Sequence, residues 1–280
     1  MSDHSANTKN RHMQHSHHHM RISYPKSWFQ RLYSIILVPL SILVGVLALY
    51  VYVIGFPGRP ISAADVNTAL LALSFTFIRL FIAYILALIV SMPLSILITK
   101  NKIVERIFLP LFDIIQSIPV LAFFPVIILV FVHSHFLNGA AIFIFFLSMV
   151  WNLVFSVVGG LRVIPNDIKQ AAQVFHIKGW QNARQITLPS IVPYIVTGSL
   201  LAWAQGWNII IVGEVLHTYI QGGTTDQDLF GIGSILVHTS ASGQQEIFLL
   251  AIVVMIIFIG LLNLVVWQRL LQYSEKFKFE

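Results

Sequence analysis

The sequence has no cysteine and very little charge, with Asp, Glu, Lys and Arg making up 10% of its 280 residues. The absence of cysteine excludes disulfides and thiolate metal sites and says little about compartment. The shortage of charge decides more. A soluble domain carries about 25% charged residues, whereas this chain is 57% hydrophobic with a mean hydropathy of +0.81. Such a chain cannot solvate its own surface and belongs in a bilayer. Catalytic signatures are missing as well: there is no HExxH helix, no serine in a nucleophile elbow and no Gly-rich phosphate loop. The chain therefore has no means of its own to hydrolyse ATP, and neither a catalytic constellation nor a metal site is expected. His133 and His135 have no carboxylate nearby in sequence and read as loop polarity.

What the chain does have is six apolar runs, at about 32–54, 70–98, 118–132, 140–163, 191–212 and 248–267. Most reach or approach the roughly 20 residues that cross a bilayer as a helix. The second is long enough to tilt. The third is short and holds Pro119 and Pro125, with 108–116 ahead of it suited to the interface. The expected fold is an all-α polytopic membrane protein of about six transmembrane helices. It forms one membrane domain over 32–280, with a core at about 70–267. Residues 1–31 form a polar tail rich in histidine (His4, His12, His15, His17, His18 and His19). It reads as a disordered cytoplasmic segment or part of a tag, with transition-metal binding as the alternative. It lacks the apolar stretch and cleavage site of a signal peptide.

Fifteen of the seventeen basic residues fall on one side of this six-span arrangement, and Arg59 alone lies on the other, with Arg79 inside span two. By the positive-inside rule both termini and the 162–189 loop are cytoplasmic. The basic balance is thus a topology signal, and no nucleic-acid partner is expected.

The 162–189 stretch is the longest polar interruption between spans after the tail. Asp167 followed by Gln170 reads as a helix start, since each side chain can satisfy a first-turn N–H. Ile168, Ala171, Ala172 and Phe175 recur at i, i+3, i+4 and i+7, an apolar stripe on a short helix. Gly179 is expected to end that helix in the left-handed conformation. Pro189, after Leu188, marks the start of the next apolar run. The pattern describes a two-piece helical unit with a docking stripe. A generic amphipathic interfacial helix is the competing reading.

Ionisable groups at membrane depth are costly and usually serve a purpose. Arg79 is the deepest, either paired structurally inside the bundle or set along a substrate path. Glu214 ends span five near the outer surface, and Asp113 sits near the inner interface. Gly45, Gly159, Gly160, Gly198 and Gly206 can allow close helix contact. Pro93, Pro119 and Pro125 break spans whose freed carbonyls need protein or cavity water.

The order Gln170-Ala171-Ala172, a later glycine, and Ile186-Thr187-Leu188-Pro189 resembles the "EAA" loop of bacterial ATP-binding-cassette (ABC) importer permeases. Gln170 stands where that family usually has Glu, and His176 where it usually has glycine. The resemblance extends over roughly 75–216, and more weakly to 244. Phe77-Ile78-Arg79-Leu80-Phe81-Ile82-Ala83-Tyr84 is similar to the start of the permease core. Ser117-Ile118-Pro119-Val120-Leu121-Ala122-Phe123-Phe124-Pro125 and Trp207-Asn208-Ile209-Ile210-Ile211-Val212-Gly213-Glu214 resemble segments of the nitrate/sulfonate/taurine branch.

The resemblance implies a type I ABC importer (MetI-like) permease fold in a bacterial plasma membrane. The 162–189 unit would be its coupling helix, seated in a separate ATPase through Asp167, Ile168, Gln170, Ala171, Ala172, Phe175, Gly179, Leu188 and Pro189. The further implied partners are a second permease copy, identical or not, and an extracytoplasmic solute-binding protein. ATP and Mg would be bound by the ATPase, leaving no cofactor in this chain. The expected cargo is a small anionic solute, with Arg79, Ser117, Pro119, Asn208 and Glu214 as pathway candidates. A gradient-driven secondary transporter is the alternative. It should show inverted repeats and midplane carboxylates, and neither is evident in the sequence. A membrane-embedded enzyme is a weaker rival, since no reactive cluster is present.

Overall fold

The computed structural model describes residues 60–133, 136–177, 179–220 and 222–277, together with positions 43, 45–47 and 50. The polar tail, His135 and most of the first apolar run lie outside the described residues. The described chain is helical with no strand. Four helices are long and apolar enough to cross a membrane, and a bent apolar pair makes five if it counts as one broken span. The chain is a multi-pass helical membrane protein.

Helix α1 (Ala63–Lys100) begins earlier than its apolar run, because a capping box starts it. Ser62 Oγ accepts the Asp65 N–H at 3.2 Å, and the Asp65 carboxylate accepts the Ser62 N–H at 2.8 Å. That reciprocal pair satisfies donors that a helix otherwise leaves free. Along α1 the small residues Ala69, Ala72, Thr76, Ala83, Ala87, Ser91 and Ser95 are buried, while Leu70, Phe75, Ile78, Ile82 and Ile89 point outward. Their spacing follows the helical period of one face. Between helices in lipid, close backbone approach replaces the hydrophobic drive, so small residues gather inside.

The small face of α1 packs on α4 (Leu137–Val163), which runs parallel to it. Arg79 meets Asn138 near one end of the pair, and Ser95 Oγ donates to the Val154 carbonyl further along. On its other side α4 packs against α6 (Gly179–Asn208). Gly198 and Gly206 allow that contact: a Cβ at Gly198 would lie 2.6 Å from Ser156 Cβ, and one at Gly206 would lie 2.1 Å from Met149. Gly160 abuts Tyr194 in the same seam, whereas a Cβ at Gly159 would meet nothing within 4 Å, so no close approach depends on that glycine. The last long helix, α9 (Gln245–Phe277), packs on α1, with Phe258 edge-on to Phe77 at 5.2 Å.

The third apolar run is broken. α2 (Lys102–Ser117) is separated from α3 (Phe124–His133) by the Ile118–Pro119 link and a 3-10 turn, Val120–Phe123. The two helices meet at 85°. Asn101 accepts the Ile103 N–H at 2.8 Å and starts α2. Pro119 cannot donate a backbone bond, and the residue ahead of it is pushed out of the helical region; Ile118 is extended.

Two further departures from expectation concern the fifth and sixth runs. Pro189 stands in the first turn of the α-helical stretch Leu188–Asn208 that carries the fifth apolar run. The helical path of α6, however, extends back beyond it through a π turn at Ala183–Thr187. Proline clashes with the carbonyl four residues back, and a wider turn relieves that clash. Toward the other end, α6 stops at Asn208 and a short helix, α7 (Ile210–Glu214), follows. Between α7 and α9 lies a helix the apolar runs do not show, α8 (Ile232–Ala241).

Candidate functional site

A cavity of about 560 Å³, open on one side, lies where α2, α3, α4 and α6 converge. Its walls are apolar and aromatic, including Phe123, Phe143 and Trp151. Its polar groups are Gln116, Ser148, Asn152, Gln205 and Asn208, none of them charged. The 85° break between α2 and α3 forms one wall, because the turned chain leaves room that a straight helix would fill. Four carboxamides offer N–H donors without a fixed charge, a chemistry that can hydrate a small solute without trapping it.

The pathway candidates divide around this cavity. Asn208 lines it. Ser117 and Pro119 are exposed at the break beside the lining residues Gln116, Ile118 and Val120, and the Ser117 hydroxyl donates to the Asp113 carbonyl at 2.7 Å. Asp113 itself is exposed and accepts from the Gln116 amide at 2.8 Å.

Arg79 and Glu214 lie elsewhere and with each other. Arg79 Nη1 is 2.9 Å from Glu214 Oε1, and the two side chains are 8% and 0% exposed. Thr76 donates to the same carboxylate oxygen at 2.7 Å, and the Gly233 N–H donates to Oε2 at 2.8 Å. Arg79 also donates to Asn138 at 2.9 Å and to the Phe230 carbonyl at 3.0 Å. A buried pair is tolerable only with its remaining hydrogen bonds satisfied, and this one is. It ties α1, α4, α7 and the start of α8 together. Gly231 and Gly233 permit this, since a Cβ at Gly231 would stand 2.2 Å from Glu214 Oε1 and one at Gly233 2.9 Å from Oε2.

At the opposite end, the 162–189 segment contains α5 (Asn166–Val174) and the first turns of α6. Asp167 is in the first turn of α5 but does not cap it; the cap position is Pro165, with no side-chain bond. Proline supplies the extended cap backbone, and Asp167 instead favours the positive end of the helix dipole. Gly179 does not end α5 either. His176 does, with φ +53, and Gly179 (φ +57) opens the next helix. The Ile177 N–H bonds to the Ala172 carbonyl at 2.8 Å and the His176 N–H to the Gln173 carbonyl at 3.1 Å. Those two bonds are the Schellman pattern, made with histidine where glycine is usual.

The expected stripe is divided. Ala172 is buried and Ile168 half-buried within this chain, while Ala171, Gln170 and Phe175 are exposed. Val174, Phe175 and Trp180 are each 74% exposed. Such side chains on a polar loop form an apolar surface that is not covered by this chain. Leu188 and Pro189 are half-buried, and Ile168 and Pro189 line a shallow groove with Lys276 and Phe277 from the end of α9. Arg162 pairs with Glu105 across the start of α2.

Sequence reasoning missed the fine structure of the 209–244 segment, including a cluster of His217, Asp228 and His238. Their separations match no short motif, so nothing local gave them away. The three meet because the turn after α7, the 228 loop and α8 fold onto one another.

This arrangement, a bundle with a broken span, a neutral polar cavity and an apolar loop at one end, is that of a transport-system membrane component. The chain belongs to the family of binding-protein-dependent transport system inner membrane components, whose model matches residues 91–274. It is similar to the nitrate import permease protein NrtB of Leptolyngbya laminosa, 30% identical over 186 residues, 66% of this chain and 61% of that one. It resembles the bicarbonate transport system permease protein CmpB of Synechococcus elongatus, 30% identical over 49% of this chain and 48% of the relative. A more distant likeness is the glycine betaine/proline betaine transport system permease protein ProW of Escherichia coli, 22% identical over 61% of this chain and 47% of that protein. The chain thus spans about half to three-fifths of the length of these relatives.

Proposed function

We propose that this protein is the membrane-spanning subunit of an ATP-driven importer and contributes a wall of its translocation pathway. The carrying observation is the pairing of two features at separate levels of one bundle. One is a neutral, carboxamide-lined cavity at a broken span. The other is a loop exposing Val174, Phe175 and Trp180. The cavity suits passage, and the loop suits a separate protein that supplies energy. A second permease would complete the pathway, and an extracytoplasmic binding protein would deliver the solute. The likeness to a nitrate and a bicarbonate permease supports a small oxyanion as cargo. N–H donors from Gln116, Asn152, Gln205 and Asn208 fit that chemistry. Arg79 and Glu214 serve the pathway indirectly, by fixing α1 against α7 and α8. Fifteen basic residues on one side support an orientation with the 162–189 loop and both termini in the cytoplasm. The domain division, a tail over 1–31 and a permease core over 70–267, belongs to the same reading.

The 162–189 unit supports a coupling role in which the ATPase meets Phe175, Val174 and Trp180, while Ile168 and Ala172 brace the loop from within. Phe175→Arg is therefore the discriminating substitution, because Ala172→Arg would also disturb the chain's own packing. Phe175→Arg should leave membrane insertion and protein level near wild type. Co-purification of the ATPase and ATP-driven uptake of labelled nitrate or bicarbonate should both fall at least about tenfold. Full ATPase binding by this variant would remove the coupling assignment. Uptake that needs no ATPase and collapses with a protonophore would point instead to gradient-driven transport.

A further inference from the structure

At the bundle end remote from the 162–189 loop, His217, Asp228 and His238 converge without a part in the pathway or the coupling loop. Asp228 Oδ1 accepts the backbone N–H groups of Leu216 and His217 at 2.8 and 2.9 Å. Those bonds pin the carboxylate and leave Oδ2 facing both imidazoles. Oδ2 is 2.7 Å from His217 Nδ1 and 2.6 Å from His238 Nε2. The three donor atoms lie within 4.8 Å of one another. The Asp228 side chain is 2% exposed, and those of His217 and His238 are 24% and 40% exposed. Burial acts to raise the Asp228 pKa, but the His217 N–H and the two imidazoles outweigh it and hold the carboxyl below its usual range. The group is an anion at neutral pH.

We propose that His217, Asp228 and His238 form a binding site for a divalent transition metal of the zinc class. Two imidazole nitrogens and one carboxylate oxygen are a donor set suited to such an ion, with water in the remaining position. The carboxylate is already oriented by two backbone amides, the outer-shell support that such sites use. Ligand bonds of about 2.0–2.1 Å in tetrahedral geometry put donor atoms about 3.3 Å apart. Each imidazole nitrogen must therefore move about 0.6–0.7 Å away from Oδ2 as the ion enters, and their exposure leaves room for that. A cavity of about 340 Å³ beside the cluster is lined by Asp65, Asp228 and His238. It provides an approach with two carboxylates to draw in a cation. Once bound, the ion clasps the turn after α7, the 228 loop and α8 into one unit. The assignment rests on this geometry and not on the transport reading.

The test must set aside the histidine-rich tail, which can bind metal by itself. The full-length protein carrying serine at positions 4, 12, 15, 17, 18 and 19 is titrated with Co²⁺ in detergent, followed by visible absorption, and then with Zn²⁺ in competition. One equivalent of Co²⁺ should bind with the bands of a low-coordinate N/O site, yield to Zn²⁺, and raise the thermal midpoint. In that background His238→Ala and Asp228→Asn should weaken binding at least about 100-fold, since loss of outer-shell partners alone costs about 10–100-fold. Gel filtration and the metal-free midpoint report whether each variant folds. His217→Gln replaces any variant that does not. Absence of saturable binding in the tail-substituted protein, or unchanged affinity in the folded ligand variants, would overturn the assignment.

Discussion

The two ends of the bundle treat their side chains in opposite ways. The 162–189 end leaves Val174, Phe175 and Trp180 in the open and braces them on Ile168 and Ala172. The 209–244 end buries polar groups and satisfies them internally, with Glu214 meeting Thr76, Arg79 and Gly233, and Asp228 meeting His217 and His238. Among the described residues no buried side-chain polar atom lacks a partner. The first end has apolar surface that its own chain does not cover, and the second has closed on itself. Substitutions should therefore act on association at one end and on stability at the other.

The largest effect is expected at the closed end. Glu214→Ala would leave the Arg79 guanidinium buried without its carboxylate, and breaking such a pair costs about 3–5 kcal/mol. Thermal unfolding in detergent should show a large drop, with a smaller one for Glu214→Gln, which keeps the hydrogen-bond acceptor. A Glu214→Ala protein with wild-type stability would dissolve the contrast between the ends.

Next comes Gly231→Ala. Its new Cβ would stand 2.2 Å from Glu214 Oε1, a clash that forces the carboxylate off its partners. Overpacking of this kind costs about 1–3 kcal/mol. If the unfolding midpoint of Gly231→Ala does not fall, the close approach at this turn is relaxed more easily than the geometry indicates.

At the open end, Trp180→Ala should leave unfolding unchanged while weakening ATPase association by about 2 kcal/mol, near 30-fold, as expected of an aromatic anchor. Titration of the ATPase against purified permease measures it. A stability loss without a loss of affinity would show that Trp180 is packed on its own chain.

The smallest effect sharpens the comparison. His176 holds a left-handed backbone at φ +53, which costs a side-chain-bearing residue about 1–2 kcal/mol relative to glycine. His176→Gly should relieve part of that, a gain of about 1 kcal/mol at most, read as slower hydrogen exchange over 166–177. Faster exchange there would mean that the histidine side chain supports the turn.

Much of the open end was legible from sequence because its rules are local. The α5 helix and its apolar residues follow from spacing within a dozen residues. Its errors were local as well. A Pro165 cap displaced Asp167, and His176 took the role given to Gly179. The residue at the family's usual glycine position was the signal for His176, and it was on view in the sequence.

By itself the sequence determined a bilayer-embedded helical chain of several spans: low charge and long apolar runs leave a polypeptide no other way to satisfy its backbone. The 162–189 loop, its short helix and the family resemblance were equally present in the linear order. Only the tertiary structure decided that Arg79 and Glu214, 135 residues apart, neutralise one another. It likewise decided that Asn208 faces a cavity made by a break at Pro119, and that two histidines share one aspartate. Hydropathy and helical periodicity are properties of neighbours along the chain. Charge pairing, cavities and donor clusters depend on which distant segments meet, and that is settled by packing.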